Sequence, residues 1–345
     1  MRKFLLRVIT QYLYLVILML TMKNICYSAG FIESYKGIYG KEIVISATQL
    51  SLGKNLTLCD SLNILASNPA GVVGDRHANL LVETNFGSLL NKVSISEDRI
   101  GYYEETYSFT MGSLALAYYF NRQPFVFGLV YLPEYENNYN DGNINTTGSM
   151  YSINLPILFR LKQVNLGLAV KTLMGNLKSH NSKIELSGNS IIVGTKIDIG
   201  DVSLACAYHP EAELKITDER GTVKLPNKIL FGVRYEFSDE SKLYSEIKFY
   251  KFDSRTDFLF SLGAQMKIYD NVQLLLGYSY ERNYYLETSV LPSLTCGIIT
   301  EFFNKLQFSV ATAYGKENYA DPINSKRIYS MDYLLISMSI TYKVF

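Results

Sequence analysis

From about Leu80 onward, hydrophobic and polar residues alternate with a period of two. In "NVQLLLGYSYE", Val272, Leu274, Leu276, Tyr278 and Tyr280 share one face, and Gln273, Gly277, Ser279 and Glu281 the other. "KILFGVRYEF" sets Ile229, Phe231, Val233, Tyr235 and Phe237 against Gly232, Arg234 and Glu236. "DFLFSLGAQMKIY" and "KLQFSVATAYG" repeat the arrangement, with Ser261, Gly263 and Gln265, then Ser309, Ala311 and Gly315, on the small or polar face. Each segment reads as a β-strand with one greasy face. Many run roughly 11 to 14 residues, longer than the 5 or 6 of globular strands and long enough to cross a bilayer.

About 14 such strands fit the chain, an even number as in bacterial membrane barrels. They begin near Asn79, Ser108, Phe125, Gly148, Val164, Ser190, Val202, Lys224, Lys242, Phe258, Asn271, Leu291, Lys305 and Ser330. The connections alternate in length. Short ones fall at Asn121–Gln123, Leu161–Gln163, Gly200-Asp201, Ser238–Ser241, Tyr269–Asn271 and Asn304-Lys305. Between them lie longer polar segments at Asn91–Tyr107, Glu136–Thr147, Asn176–Asn189, Asp218–Val223, Asn283–Thr288 and Lys316–Arg327, with only Asp253–Thr256 short where a long one is expected. Short turns at one end and longer loops at the other mark a membrane barrel; a soluble β-sandwich gives no reason for the alternation. The pattern predicts an all-β fold, a transmembrane antiparallel β-barrel of about 14 strands over residues 79–345.

Composition fits this picture. The chain has 28 Tyr, 18 Phe and no Trp, suited to aromatic girdles at both membrane interfaces. Lys and Arg number 33 against 32 Asp and Glu, a net charge of +1 that argues against a nucleic-acid partner. At the N-terminus, Arg2, Lys3 and Arg7 precede the apolar run Tyr12–Leu20 and the small residues of "CYSAG". This reads as a signal peptide over residues 1–30, cleaved near Ala29 or Gly30, with a retained anchor as the alternative. The expected destination is the outer membrane of a Gram-negative-type bacterium, with the barrel a monomer surrounded by outer-membrane lipid. The last strand ends in Phe345, offset by one residue from the face of Ile336, Met338, Ile340, Tyr342 and Val344. A terminal aromatic on an amphipathic last strand resembles the signal read by barrel assembly machinery, an expected partner.

Candidate chemistry is sparse. Cys59, Cys206 and Cys296, the cysteines beyond the signal, are odd in number and widely spaced, which fits neither a disulfide framework nor a zinc site. The histidines are His77, His180 and His209, with no local nucleophile motif, phosphate loop or dinucleotide fingerprint. The expectation is no enzyme, no metal and no cofactor. The strand "FVFGLVYLPEYE" stands apart. Val126 and Val130 fall on its inward face with Gly128 between them, as either a kinked wall with a greasy lumen lining or a plain strand with one small inward residue.

Residues 31–78 precede the barrel. In "SATQLSLGKNLTLCDSLNILASNPAGVV", Thr57 or Asp60 is expected to cap a short helix carrying Leu62, Leu65 and Ala66. Asn68-Pro69 ends that helix, and Gly71 and Gly74 loosen the chain beyond it. The apolar helix positions favour burial in the lumen, as a plug, over a tail hanging in the periplasm.

The order Leu52-Gly53, Asp60-Ser61, Asn68-Pro69-Ala70-Gly71, then about 14 strands, resembles the FadL-type outer-membrane transporters of long-chain fatty acids and other hydrophobic compounds. "FVFGLVYLPEYE" and Val223–Phe252 are also similar, so the resemblance covers nearly the whole mature chain. It implies a hatch to which Asn68, Pro69, Ala70 and Gly71 belong, and a hydrophobic small-molecule ligand. It also implies passive uptake as the hatch shifts, and a sideways exit through a kinked wall at Val126, Gly128 and Val130. The third external segment, Asn176–Asn189, is short for that family. The same barrel type includes a shuttle porin of type IX secretion, which handles secreted proteins; a general porin is the third possibility.

Overall fold

The computed structural model describes residues 46–71, 80–97, 100–120, 124–140, 145–179, 182–216, 222–238, 241–251, 256–282, 289–290, 293–302, 305–320 and 328–344. The signal region, the plug segment before residue 46, Gly74, His77, His180 and Phe345 lie outside them.

The period-two segments form strands β1 (Leu80–Glu97), β2 (Ile100–Tyr119), β3 (Phe125–Asn140), β4 (Asn145–Arg160), β5 (Val164–Ser179), β6 (Ser182–Ile199), β7 (Val202–His209), β8 (Ala212–Ile216) and β9 (Thr222–Leu225). They continue with β10 (Asn227–Ser238), β11 (Ser241–Lys251), β12 (Thr256–Tyr269), β13 (Val272–Arg282), β14 (Ser289–Val290), β15 (Ser293–Phe302), β16 (Leu306–Ala320) and β17 (Ile328–Val344). β7 with β8, β9 with β10 and β14 with β15 each make one wall-crossing strand, so 14 strands cross. Pro226, which has no N–H for the ladder, separates β9 from β10. β1 pairs with β17 from Leu80↔Val344 to Ser96↔Ile328, which closes the sheet into an antiparallel barrel without edges.

Alternation decides which way each side chain points. On β10, Ile229 and Phe231 face out while Leu230, Gly232 and Arg234 are buried inside; on β5, Leu166, Leu168 and Val170 face out against Gly167, Ala169 and Lys171. The exposed apolar side chains form a belt around the wall, closed near the short turns by aromatic pairs. Tyr118 and Phe120 meet at 4.9 Å, Phe125 and Phe159 at 5.1 Å, and Tyr235 and Phe237 at 4.5 Å. Tyr131–Tyr151 and Phe249–Phe258 mark its other edge. The stretch from Tyr151 to Phe159 matches the roughly 9–11 residues that a tilted strand needs to cross a bilayer. Among the described residues no helix is long and apolar enough to cross a membrane; the strands do so.

Two expectations are corrected. Much of the segments read as external loops at Asn91–Tyr107, Glu136–Thr147 and Asn176–Asn189 is paired strand: β1 runs to Glu97, β2 starts at Ile100, β3 ends at Asn140, and β5 and β6 reach Ser179 and Ser182. Beyond the apolar belt a strand has water beside it, so its polar sequence looks like a loop while its backbone still pairs. The cap is also different. A 3-10 helix spans Leu62–Ala66, and its N-cap is Ser61, whose side chain accepts from the Asn63 N–H. Thr57 and Asp60 instead bond to the barrel wall.

Candidate functional site: the plugged lumen

Residues 46–71 cross the lumen as a folded layer. Helix α1 (Ala47–Ser51) is followed by a reversal in which Gly53 (φ 73°) and Lys54 (φ 64°) adopt left-handed backbone. The Asn55 side chain then accepts from the N–H groups of Thr57 and Leu58, and the 3-10 helix follows. Asn68 closes the fold: its Oδ1 accepts from Ala70 N at 3.1 Å while its Nδ2 donates to Thr57 O at 3.1 Å, tying the end of the plug to its middle. Leu50, Leu58, Ile64 and Leu65 are fully buried in the layer.

Two wall carboxylates grip this layer. Glu246 on β11 accepts from Leu56 N through both oxygens, at 3.0 and 2.9 Å, and from the Thr57 hydroxyl. Lys248, also buried, donates to Glu246 at 3.1 Å and to the Lys54 carbonyl at 2.6 Å. Across the barrel, Glu83 on β1 accepts from Leu62 N at 2.6 Å and from the Ser61 hydroxyl at 2.7 Å. Each carboxylate takes up N–H groups that the plug's short helices and turns leave unfilled, which is how a buried charge is kept at acceptable cost. Ser113, Thr295 and Ser339 add neutral bonds from three more strands.

Close approach is made possible by glycines on the inward face. A Cβ at Gly167 would meet Pro69 and Ala70, at Gly194 the Asn68 side chain, at Gly232 Thr57, at Gly263 Leu52, at Gly277 Gly53 and Ser51, and at Gly297 Ser51. These positions lie on β5, β6, β10, β12, β13 and β15, at the middle of the wall-crossing strand or on its short-turn side. The plug is therefore a seal near the short-turn end, seated against the backbone around most of the circumference.

The structure places the sequence-selected residues as follows. Asn68, Ala70 and Gly71 are buried in the plug, and Asn68 through Ala70 lie against Gly167 and Gly194. Val126 and Val130 point inward and are buried with Leu65 and Ala66 of the plug, Leu158 and Ala115. At Gly128 a Cβ would meet Pro156 Cγ at 2.7 Å and Leu65 Cδ1 at 3.0 Å. Here the β3–β4 ladder lapses: pairing resumes from Phe127↔Ile157 only at Val130↔Asn154, with Pro156 in the interval. β2 and β3 pair only between Leu114–Tyr119 and Val126–Tyr131; beyond Tyr131, β3 pairs with β4 alone among the described residues.

Above the plug, on the long-strand side, lies a small open-mouthed cavity of about 40 Å³ lined by Glu134, Met150, Lys171, Leu173, His209 and Lys228 among others. Glu134 is the extra residue of a bulge between Pro133 and Tyr135; it pairs with Lys171 at 2.5 Å and accepts from Ser152. His209 Nε2 contacts the Ser67 carbonyl at 2.7 Å, so a proton on that nitrogen joins the cavity floor to the plug. Sequence reading missed Glu83, Glu246, Lys171 and Lys228. Their signal was present: a charged residue on the small, inward face of a strand needs a partner in the lumen. Among the described residues no cluster of His, Cys, Asp and Glu is arranged to hold a metal ion.

No family model matches the chain, and no curated protein matches it. Solved structures do. The Pseudomonas putida toluene transporter TodX superposes with a TM-score of 0.67 at 12% identity, over 89% of this chain and 99% of that one. A Pseudomonas aeruginosa FadL homologue gives 0.67 at 11% identity, over 88% and 99%. The Ralstonia pickettii toluene transporter TbuX gives 0.66 at 11%, over 89% and 99%. The fold of this chain is that of the FadL-type barrels.

Proposed function

We propose that this FadL-type barrel is an outer-membrane channel for passive uptake of hydrophobic small molecules, with Asn68–Gly71 part of its hatch. The observation that carries the reading is the pairing of a sealed floor with a weakened wall. A solute entering from the long-strand end reaches the cavity, finds the plug across its path, and lies beside the strands where the β2–β3 and β3–β4 ladders lapse. Leaving sideways into lipid returns roughly 0.8 kcal/mol per buried CH₂, so an apolar solute needs no energy source. The solved barrels of this fold named as toluene transporters agree with such a cargo. Lys171 and Lys228 against Glu134 leave the cavity one positive charge in excess, which favours a cargo with a carboxylate head, such as a long-chain fatty acid.

The test is uptake of labelled oleate and labelled toluene by cells with and without the protein, and with Ser61–Gly74 deleted. Faster oleate uptake with the intact chain is expected, reduced by Lys228→Met. Equal uptake by cells lacking the protein would sink the reading. Liposomes carrying the intact barrel are expected not to swell in small sugars; rapid swelling would make it a general porin.

A further inference from the structure

On the opposite, short-turn face of the plug, β6, β7, β10 and β11 bring Lys196, Ser203, Arg234 and Lys242 together, and the plug presents Asp60 to them. Lys196 pairs with Asp198 at 3.1 Å, Arg234 Nη2 with Glu236 at 2.9 Å, and Lys242 with Asp60 Oδ2 at 3.2 Å. Arg234 Nη2 also donates to Ser203 Oγ at 3.0 Å. The cluster has a floor and a rim. Arg234 and Lys196 are 5% and 4% exposed, whereas the side chains of Asp60, Lys242, Asp198 and Glu236 all reach solvent. Its pairing is incomplete: Arg234 Nε and Nη1, and Asp60 Oδ1, have no hydrogen-bond partner among the described residues.

We propose that this recess is an oxyanion-binding site in which Asp60 stands in for the carboxylate or phosphate group of a ligand. An arginine keeps its charge when buried, and each of its N–H groups left unpartnered is a strong donor to an anion oxygen. Here Nη2 is taken by Glu236 and Ser203, Nε and Nη1 on the two flanks of the guanidinium are unfilled, and Asp60 engages only Lys242, with one oxygen. With Asp60 withdrawn, three cations face two carboxylates, and a bound oxyanion restores the balance. Asp60 is held ready for such an exchange as an ion: burial raises its carboxyl, but Lys242, Arg234 and Lys196 outweigh burial and hold it below the usual carboxylate range. It adjoins Ser61, which is bonded to Glu83, so displacing Asp60 loosens the plug at one of its two carboxylate grips. The neighbouring Cys59 reports on this. It is fully buried, and burial pushes its thiol well above the ordinary value, so it is inert while the plug is seated.

The experiment uses the full chain with Cys26, Cys206 and Cys296 replaced by alanine, folded in detergent. Maleimide labelling of Cys59 is timed at neutral pH in acetate, phosphate or chloride of equal ionic strength. Acetate or phosphate is expected to accelerate labelling saturably by about fivefold or more, the low end of ligand-linked coupling, and chloride to have no effect. Arg234→Gln removes the acceleration. Arg234→Lys, which keeps the charge without the fork, requires a higher oxyanion concentration for half effect and serves if the Gln variant does not fold. Equal rates in the three salts, or undiminished acceleration in both Arg234 variants, overturn the proposal. Uptake plays no part in the readout, so the channel reading stands or falls separately.

Discussion

Glu246→Ala should unseat the plug without unmaking the barrel. Glu246 is 0% exposed and Lys248 1%. Removing the carboxylate leaves the Leu56 amide and the Thr57 hydroxyl without their wall acceptor, and leaves Lys248 a buried cation held only by a carbonyl. Hydrogen bonds to a charged group contribute about 1.5–3 kcal/mol each, and stripping one partner from a buried ion pair costs about 3–5 kcal/mol. These contributions overlap at Lys248, so about 4 kcal/mol is a reasonable net figure, roughly a thousandfold shift toward an unseated plug. The β10–β11 and β11–β12 ladders are backbone bonds and stay intact. The assay is ion conductance in planar bilayers, with heat-modifiable electrophoretic migration as the check on the barrel. The intact chain should be nearly silent, and Glu246→Ala should open in large steps. The double variant Glu246→Met with Lys248→Met removes the stranded charge and should open less often than Glu246→Ala. A silent Glu246→Ala channel with an intact barrel would refute the reasoning.

Further outcomes are expected. Gly232→Ala puts a methyl group into Thr57, and overpacking of this kind costs about 1–3 kcal/mol, so plug amides should exchange faster with deuterium while barrel amides do not. Asn68→Ala removes both ties of the closing turn and should cost about 1–2 kcal/mol, read as earlier protease cutting between residues 55 and 71. The Asp60–Lys242 contact should be at full strength above about pH 3.9, the ordinary Asp value, and be lost only as pH falls through the lower value of the seated plug. The difference in conductance between the intact chain and Asp60→Asn should thus be constant down to about pH 4 and shrink below it; a difference that already shrinks at mildly acidic pH would contradict it.

The wall of this molecule was readable because a membrane barrel obeys one rule at each residue: Phe231 faces out and Gly232 faces in on β10 because lipid is on one side and the plug on the other. The same rule fails past the belt, where Glu185 and Ser187 on β6 are paired but wet, and the sequence of β6 there looks like a loop. The lumen was less readable. Ser61 rather than Thr57 or Asp60 caps the 3-10 helix because the helix starts only at Leu62, and Thr57 is held instead by Glu246, far away in sequence. Local capping rules cannot see such a competitor. Gly128, Val126 and Val130 could be set on the inward face from parity alone, but the lapse in the ladder beside them depends on Pro156 of the next strand.

The plug's contacts also imply an order of events. Its partners run from Glu83 on β1, through Gly194, Glu246 and Gly277, to Ser339 on β17. The segment is made before any strand, yet its last partner is the last strand made. The full set of those bonds exists only once the seam Leu80↔Val344 to Ser96↔Ile328 has brought β1 and β17 together. Seating of the hatch is in that sense completed by the chain's last strand, and the bonds that seal the lumen also tie the first strand to the last.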